Sequence, residues 1–280
     1  MRTKPLPRFI GAVEVPALGQ GTWKIEHDSR TAVAALRRGL DLGLTHIDTA
    51  EMYGDGESEK VVGEAIRGRR EEVFLVSKVL PSHADAEGVR RACERSLKHL
   101  GTDHLDVYLL HWRGGVPLEE TFRAFTRLVD QGKIRAFGVS NFDVDDLEEA
   151  SKKGGEKMVC NQVLYHLKER TIEAGVLFWC EQNEVAVVAY SPFGQHDFPA
   201  PASAGGKVLV EIGARYGKTA RQVALSFLTR SQNVFAIPKS GDVRHVEENA
   251  GALGFELAPE DLAKIEDAFP LRAQGHLPML

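Results

Sequence analysis

At 280 residues, with 43% hydrophobic and 27% charged residues, the chain holds ample material for a sizeable core under an ordinary soluble surface. Its net charge of −5, from 35 basic and 40 acidic residues, argues against a nucleic-acid or membrane-surface partner. No run approaches the roughly 18 apolar residues of a spanning helix. Cys93, Cys160 and Cys180 show no CxxC spacing and read as reduced thiols of a cytoplasmic protein. Arg2, Lys4 and Arg8 precede an apolar stretch that Glu14 interrupts, which makes a poor secretory signal.

Residues 8–23 are short β-like runs broken by Gly11, Pro16 and Gly19, and read as a small hairpin followed by a first strand. Asp28 or Ser29 then caps a helix whose apolar positions Val33, Leu36 and Leu40 follow the helical period, and Gly43 ends it. From there the pattern alternates. A short run near 44–48 precedes a helix near 57–68. The run 73–78 precedes a helix at 85–100, with Val89, Cys93, Leu97 and Leu100 on one face. The runs 105–111, 133–140 and 158–162 precede helices at 117–131, 143–153 and 169–182. Residues 185–191 and 234–238 complete the strands, and a last helix starts near 242. The near-continuous apolar runs suit a parallel sheet covered on its faces.

These runs give way to polar residues at Trp23, Asp48, Lys78, His111, Ser140, Gln162, Tyr190 and Lys239. The gaps between them are 25, 30, 33, 29, 22, 28 and 49 residues. A (β/α)8 barrel averages roughly 31 residues per unit, so the pattern predicts an α/β TIM barrel with an N-terminal hairpin, as one domain over 1–280. The long last gap holds extra material: residues 192–206 are rich in Pro, Gly and Ala and read as a long loop before the helices of the seventh unit. An open doubly wound sheet fits less well, because no GxGxxG follows an early strand.

In a parallel barrel the strand C-termini share one face, so Asp48, Tyr53, Lys78 and His111 should converge. Each alone has a bland reading as a cap, a solvated lysine or a core histidine. Four polar groups at successive strand ends are harder to explain that way. A phenol is a weak acid near pKa 10. A nearby ammonium lowers that value; Lys78 supplies one, and Asp48 can hold it charged. His111 can orient a carbonyl oxygen by hydrogen bonding. Together they describe general-acid protonation of a carbonyl oxygen while hydride arrives at carbon.

The stretches GTWK (21–24), HIDTAEMYG (46–54), GEAI (63–66), VSK (76–78), LDVYLLHW (105–112), GKIRAFGVSNF (132–142), NQVLYH (161–166), AYSPFG (189–194) and IPKS (237–240) carry a resemblance. Essentially from end to end, the chain resembles an aldo-keto reductase, and within that family the bacterial 2,5-diketo-D-gluconate-reductase-like branch. The resemblance implies a catalytic tetrad at Asp48, Tyr53, Lys78 and His111, and a nicotinamide cofactor bound without a Rossmann fold. It implies that Ser140, Asn141 and Gln162 hold the carboxamide, that Tyr190 stacks on the nicotinamide, and that Ser191 and Phe193 begin a cover over the pyrophosphate. Gly21, Thr22, Trp23 and Asp48 belong to the same cofactor wall. Lys239 and Ser240 correspond to the 2′-phosphate contacts of NADP(H), Glu248 and Asn249 to adenine contacts.

One position departs from the family pattern: His245 stands where an arginine is frequent, with Arg244 one place earlier. Neighbouring helix positions point about 100° apart, so Arg244 need not reach the same phosphate, and a histidine is a weaker partner than a forked guanidinium. NADP(H) is the expected cofactor through Lys239, with NAD(H) left open by His245.

Trp23 and Trp112 match aromatic walls of the family's substrate pocket, with Tyr53 and His111 at its base. The loop after Trp112 and the tail after Phe269 are short. An open pocket for small aldehydes, dicarbonyls or keto sugars is expected. No metal site is expected, since neither HxH nor HExxH occurs. The rival readings are a non-catalytic nicotinamide-binding regulatory subunit of the same fold and a Schiff-base aldolase built on Lys78, which needs a depressed lysine pKa. A monomer is the family-like default.

Overall fold

The computed structural model of the chain describes residues 6–272 and 277–279. Arg2 and Lys4 lie outside these, as do residues 273–276 and 280 of the C-terminal tail. Strands β1 (Phe9–Ile10) and β2 (Val13–Glu14) pair antiparallel as the expected hairpin. Eight parallel strands follow in chain order: β3 (Gln20–Gly21), β4 (His46–Asp48), β5 (Phe74–Val79), β6 (Leu105–Leu110), β7 (Ile134–Ser140), β8 (Cys160–Leu164), β9 (Ala186–Tyr190) and β10 (Val234–Ala236). Each pairs with its chain neighbour. The ring closes where Leu18 bridges Ala236 and Gly21 bridges Lys239. The Gly19 N–H donates to the Ala236 carbonyl at 2.8 Å, and the Ala236 N–H to the Ala17 carbonyl at 2.9 Å. Closure removes the unpaired edges an open sheet would present.

Helices α1 (Ser29–Asp41), α2 (Glu57–Ile66), α3 (Ala86–Leu100), α4 (Leu118–Asp130), α5 (Val144–Ala150) and α6 (Val176–Gln182) each join two strands. Two helices, α7 (Ala204–Tyr216) and α8 (Ala220–Leu228), share the seventh connection and account for its extra length. Helices α9 (Val243–Ala250) and α10 (Pro259–Ala268) follow β10. Local chemistry sets the ends. The Asp28 carboxylate accepts from the Thr31 N–H ahead of α1, Asp85 caps α3, and Asp143 forms a capping box with Asp146. Two helices are shorter than their sequence pattern predicts. The α5 segment loosens into a π turn at 151–155, where Gly154 takes φ 94°. The α6 segment begins as a 3-10 turn at 171–174 and restarts at Gly175. No helix among the described residues is long and apolar enough to cross a membrane.

Two apolar layers hold the barrel. The outer one packs outward strand positions such as Leu75, Tyr108 and Val187 against Leu36, Val89 and Phe122 of the helices. The inner one contains Phe74 and Val76 of β5, Val107 and Leu109 of β6, Cys160 of β8, Val188 of β9 and Phe235 of β10. Ile10 and Val15, on either side of the hairpin, join the inner layer and close the barrel's N-terminal end. The chemistry is left to the other end.

Inside the barrel there is no room to spare at β7. A Cβ on Gly138 would lie 2.5 Å from the Cys160 carbonyl oxygen and 2.9 Å from Leu109 Cδ2. Overpacking of this kind costs about 1–3 kcal/mol. Gly138→Ala should therefore lower the denaturation midpoint in urea at an unchanged slope; an unchanged midpoint would show that β7 can shift.

Candidate active site

Side chains alternate across a strand with period two. On β5 the inward positions Phe74 and Val76 are followed by Lys78; on β6, Val107 and Leu109 are followed by His111. The same count raises Asp48 above His46, Gln162 above Cys160, and Tyr190 above Val188. One layer of polar groups thus sits on the apolar interior, at the C-terminal end of the strands.

Lys78 has no solvent exposure. Its ammonium Nζ donates to Asp48 Oδ1 at 2.6 Å, to the Thr49 carbonyl at 2.8 Å and to the Tyr53 hydroxyl at 3.3 Å. Asp48 is held from other sides as well. Its Oδ2 accepts from Gln162 Nε2 at 2.7 Å, and its carbonyl accepts from the Thr22 hydroxyl at 2.8 Å. Burial pulls the Lys78 ammonium down, but Asp48 and Tyr53 more than reverse this, so it stays above the ordinary lysine value. The charge is therefore permanent near neutrality.

Tyr53 corrects the sequence-based expectation of a depressed phenol. Burial pushes the phenol above its ordinary value, and Lys78 offsets this only in part. The physical reason is that Asp48 already balances the ammonium, so little net positive charge reaches a desolvated hydroxyl. The His111 ring stands 5.8 Å from the Tyr53 ring, nearly perpendicular at 73°. Burial, reinforced by Lys78, pulls His111 down to about 2, so the imidazole is neutral and carries a single N–H. Its Nδ1 is buried with no hydrogen-bond partner among the described residues.

Beside this group lies a hydrogen-bonded chain. The Ser140 hydroxyl donates to the Gln162 carbonyl at 2.9 Å. Asn141 Nδ2 donates to the His111 carbonyl and to Ser140 Oγ, both at 3.1 Å, and its Oδ1 accepts from the Tyr190 hydroxyl at 2.9 Å. Asn141 and Ser191 sit immediately past β7 and β9 with φ of 61° and 49°, and Lys24, three residues past β3, takes 58°. Side chains rarely adopt this region outside tightly determined sites.

Apart from Lys24 and the fully buried Lys78, these groups line a cavity of 430 Å³. Gly21, Thr22 and Trp23 form one wall, His111 and Trp112 another. Ser140, Asn141, Gln162, Tyr190 and Ser191 form a third, and Lys239 reaches the mouth. A larger hollow of 720 Å³ lies under the hairpin at the opposite end. Only the smaller one gathers a buried ion pair, a phenol and a neutral imidazole, and that decides where chemistry is sought.

Other expected contacts are not on this cavity. Phe193 packs edge-on against Phe198 at 5.6 Å, with the Arg221 guanidinium 4.7 Å from its ring. Ser240 turns into the start of α9, its hydroxyl donating to the Asp242 carbonyl at 3.0 Å. Arg244 pairs with Asp242 at 3.2 Å, and His245 is exposed. Glu248 borders a separate groove with Phe198 and Arg221, and Asn249 is buried on α9. Four cavity residues escaped sequence reasoning: Met52, Gln195, Ile237 and Met279. Met52 adjoins Tyr53 in its motif. Met279 carried no signal, and it shows that the short tail still reaches the pocket.

The chain matches the model of the Aldo/keto reductase family over residues 17–269. The chain belongs to the aldo/keto reductase family. It is 48% identical to the methylglyoxal reductase YeaE of Escherichia coli (strain K12), with 94% of each chain covered. The aldo/keto reductase of Klebsiella pneumoniae, solved with NADP and acetate, superposes with a TM-score of 0.93 at 45% identity, covering 99% of this chain and 100% of that one. A putative 2,5-diketo-D-gluconic acid reductase B superposes with a TM-score of 0.83 at 32% identity, covering 97% and 96%.

In this aldo/keto reductase one more ionisable group lies beneath the polar layer. His46 is fully buried, and neither ring nitrogen has a partner among the described residues. Its ring meets Phe74 edge-on at 5.2 Å. Burial outweighs the pull of Asp48 and takes it down to about 4. Between pH 6.5 and 4 the unfolded chain binds a proton at this position and the folded chain does not. Stability is therefore full above the ordinary histidine value and is lost as pH falls towards 4, by about 2 kcal/mol at pH 5. Urea unfolding at pH 7 and pH 5 should give a drop that His46→Leu reduces by about that amount. An identical drop in the variant would mean that His46 is protonated in the folded state.

Proposed function

We propose that the chain is an NADPH-dependent reductase of small carbonyl compounds, with dicarbonyls of the methylglyoxal type as its preferred class. The observation that carries this reading is the buried Lys78 ammonium clamped between Asp48, at 2.6 Å, and the Tyr53 hydroxyl, at 3.3 Å, the two groups that line the pocket above it. The named activity of the 48% identical relative supports the substrate class, and the NADP held by the Klebsiella neighbour supports the cofactor.

The residues present fit that cofactor. Ser140, Asn141 and Gln162 offer hydroxyl and carboxamide groups beside the Tyr190 ring, and Lys239 offers a positive charge at the mouth. Ser191 and Phe193 begin the covering loop, while Ser240, Glu248 and Asn249 flank the far end. When bound, NADPH supplies the hydride. As the carbonyl oxygen gains negative charge, Tyr53 gives it the phenolic proton, and Lys78 stabilises the phenolate that remains. Asp48 keeps Lys78 charged and in place. A resting phenol above its ordinary value retains its proton until an oxygen of rising basicity is presented. The neutral His111 ring donates its N–H to the same oxygen and orients it. Trp23 and Trp112 form apolar sides suited to a small substrate.

Lys239 is the reader of the 2′-phosphate. Arg244 is engaged by Asp242, and His245 lacks a guanidinium's fork, so discrimination against NADH is modest. The raised Lys78 counts against a Schiff-base aldolase. The buried thiols Cys93, Cys160 and Cys180 suit the cytoplasm, and we take residues 1–280 to act as one domain and as a monomer.

Oxidation of NADPH, and separately of NADH, followed by absorbance with methylglyoxal, a simple aldehyde and a keto sugar, tests this reading. Methylglyoxal-dependent oxidation is expected, faster with NADPH. Binding of NADPH without turnover would instead favour the regulatory-subunit reading. Tyr53→Phe should lower kcat by about 10²–10⁴-fold while leaving NADPH affinity intact; unaltered turnover would remove Tyr53 as the acid. Lys239→Ala should weaken NADPH much more than NADH, and equal weakening would mean that Lys239 does not read the phosphate.

A further inference from the structure

The Glu51 side chain is almost fully buried, yet it lines no described cavity. A buried carboxylate persists when its oxygens are matched by donors. Here three donors converge. The Leu80 N–H reaches Oε1 at 2.7 Å, His83 Nδ1 lies 3.0 Å from the same oxygen, and the Arg95 guanidinium binds Oε2. All three come from chain that follows Lys78: Leu80 and His83 from the connection after β5, Arg95 from α3. The Glu51 N–H adds a fourth link, donating to the Lys78 carbonyl at 3.3 Å.

Tyr53 lies two residues further along this loop. It stands on a short turn in which Gly54 and Asp55 take φ of 57° and 54°, so neither a strand nor an α-helix carries the phenol. Its contact with Lys78, at 3.3 Å, is the longest of the three the ammonium makes. That contact is the one a small loop displacement breaks first.

We infer that Glu51 is a positioning residue for carbonyl reduction: it fastens the Tyr53 loop to the backbone beyond Lys78 and so holds the phenol within reach of the ammonium. This rests on the reductase reading above. Glu51 itself touches neither substrate nor cofactor in that reading. Arg95 and His83 are roughly half-exposed, so either donor can be removed without opening a cavity in the core.

The test is single-turnover reduction of methylglyoxal by the full chain preloaded with NADPH. Misplacement of the acid lowers the rate constant at full amplitude, whereas a partly unfolded preparation lowers the amplitude at an unchanged rate. Glu51→Gln should reduce the rate constant by about ten- to a hundredfold, with NADPH affinity and the KM for methylglyoxal unchanged. Arg95→Gln, at the exposed end of the link, should act in the same direction but less strongly, and it keeps the test open if Glu51→Gln does not fold. Wild-type rates in both variants, or a loss confined to amplitude, would overturn the positioning role while leaving the reductase reading in place. Absence of turnover in the unaltered chain would overturn both.

Discussion

The site depends on a single constraint: a lysine ammonium with no access to water must be charge-paired where it stands. Removing such a charge from solvent costs several kcal/mol, and the fold meets that cost with a carboxylate at 2.6 Å and a backbone carbonyl at 2.8 Å. Asp48 is not free to move in response. Its second oxygen takes the Gln162 amide and its carbonyl takes the Thr22 hydroxyl. One ion pair therefore ties together β4, β5, β8 and the segment just after β3. Breaking either partner would leave the other charge buried and alone.

The same pairing explains the Tyr53 phenol at rest. A phenol next to an unpaired ammonium would ionise easily and have little proton to give. Next to an ammonium already balanced by Asp48, and with its hydroxyl desolvated, Tyr53 stays protonated. In the proposed mechanism the Lys78 charge matters most once a phenolate forms, which is when stabilisation accelerates reaction rather than binding. His111 follows the same logic. Held neutral by burial and by Lys78, it is, in the proposed mechanism, a hydrogen-bond donor and not a rival to Tyr53 as proton source.

Much of this arrangement was legible because barrel geometry is repetitive. An apolar run ending in a polar residue, repeated at similar spacing, marks a strand C-terminus, and the period of two places that residue inside. Asp48, Lys78, His111, Gln162 and Tyr190 all follow from this count, and the closed parallel ring carries it out. What could not be read depends on three-dimensional accounting. The shift of Tyr53 comes from the balance of burial against a neutralised neighbour, and no motif encodes a balance. The rise of Met279 to the pocket and the turning away of Phe193 depend on irregular segments with no period. Glu51 sits inside the most informative motif of the chain, yet its partners Leu80, His83 and Arg95 are far along the sequence and show no pattern linking them to it. The α5 and α6 segments were over-extended by periodicity, because the chain leaves α geometry in the turn around Gly154 after α5 and enters it only past Gly175 in α6, while apolar spacing continues on both sides.

The two ends of the proposed cofactor path are built on different physical terms. At the reacting end Asp48, Lys78 and Gln162 are buried and hydrogen-bonded to one another, so displacing them costs desolvation as well as contacts. At the other end the loop from Ser191 to Ser203 rests Phe193 and Phe198 on the core and is otherwise held by partly exposed contacts. Lys168 and Asp197 pair at 2.6 Å with both side chains about half exposed, and such pairs stabilise little. Arg221 covers Phe193 and Phe198 at 4.7 and 5.0 Å, a cation–π contact worth about 0.5–1 kcal/mol when exposed. In the proposed reading a large dinucleotide enters and leaves past this loop, while the phenol and the ammonium keep their separation. With weak, partly exposed ties over the proposed cofactor path and a buried ion pair under the proposed carbonyl position, one barrel end meets both demands.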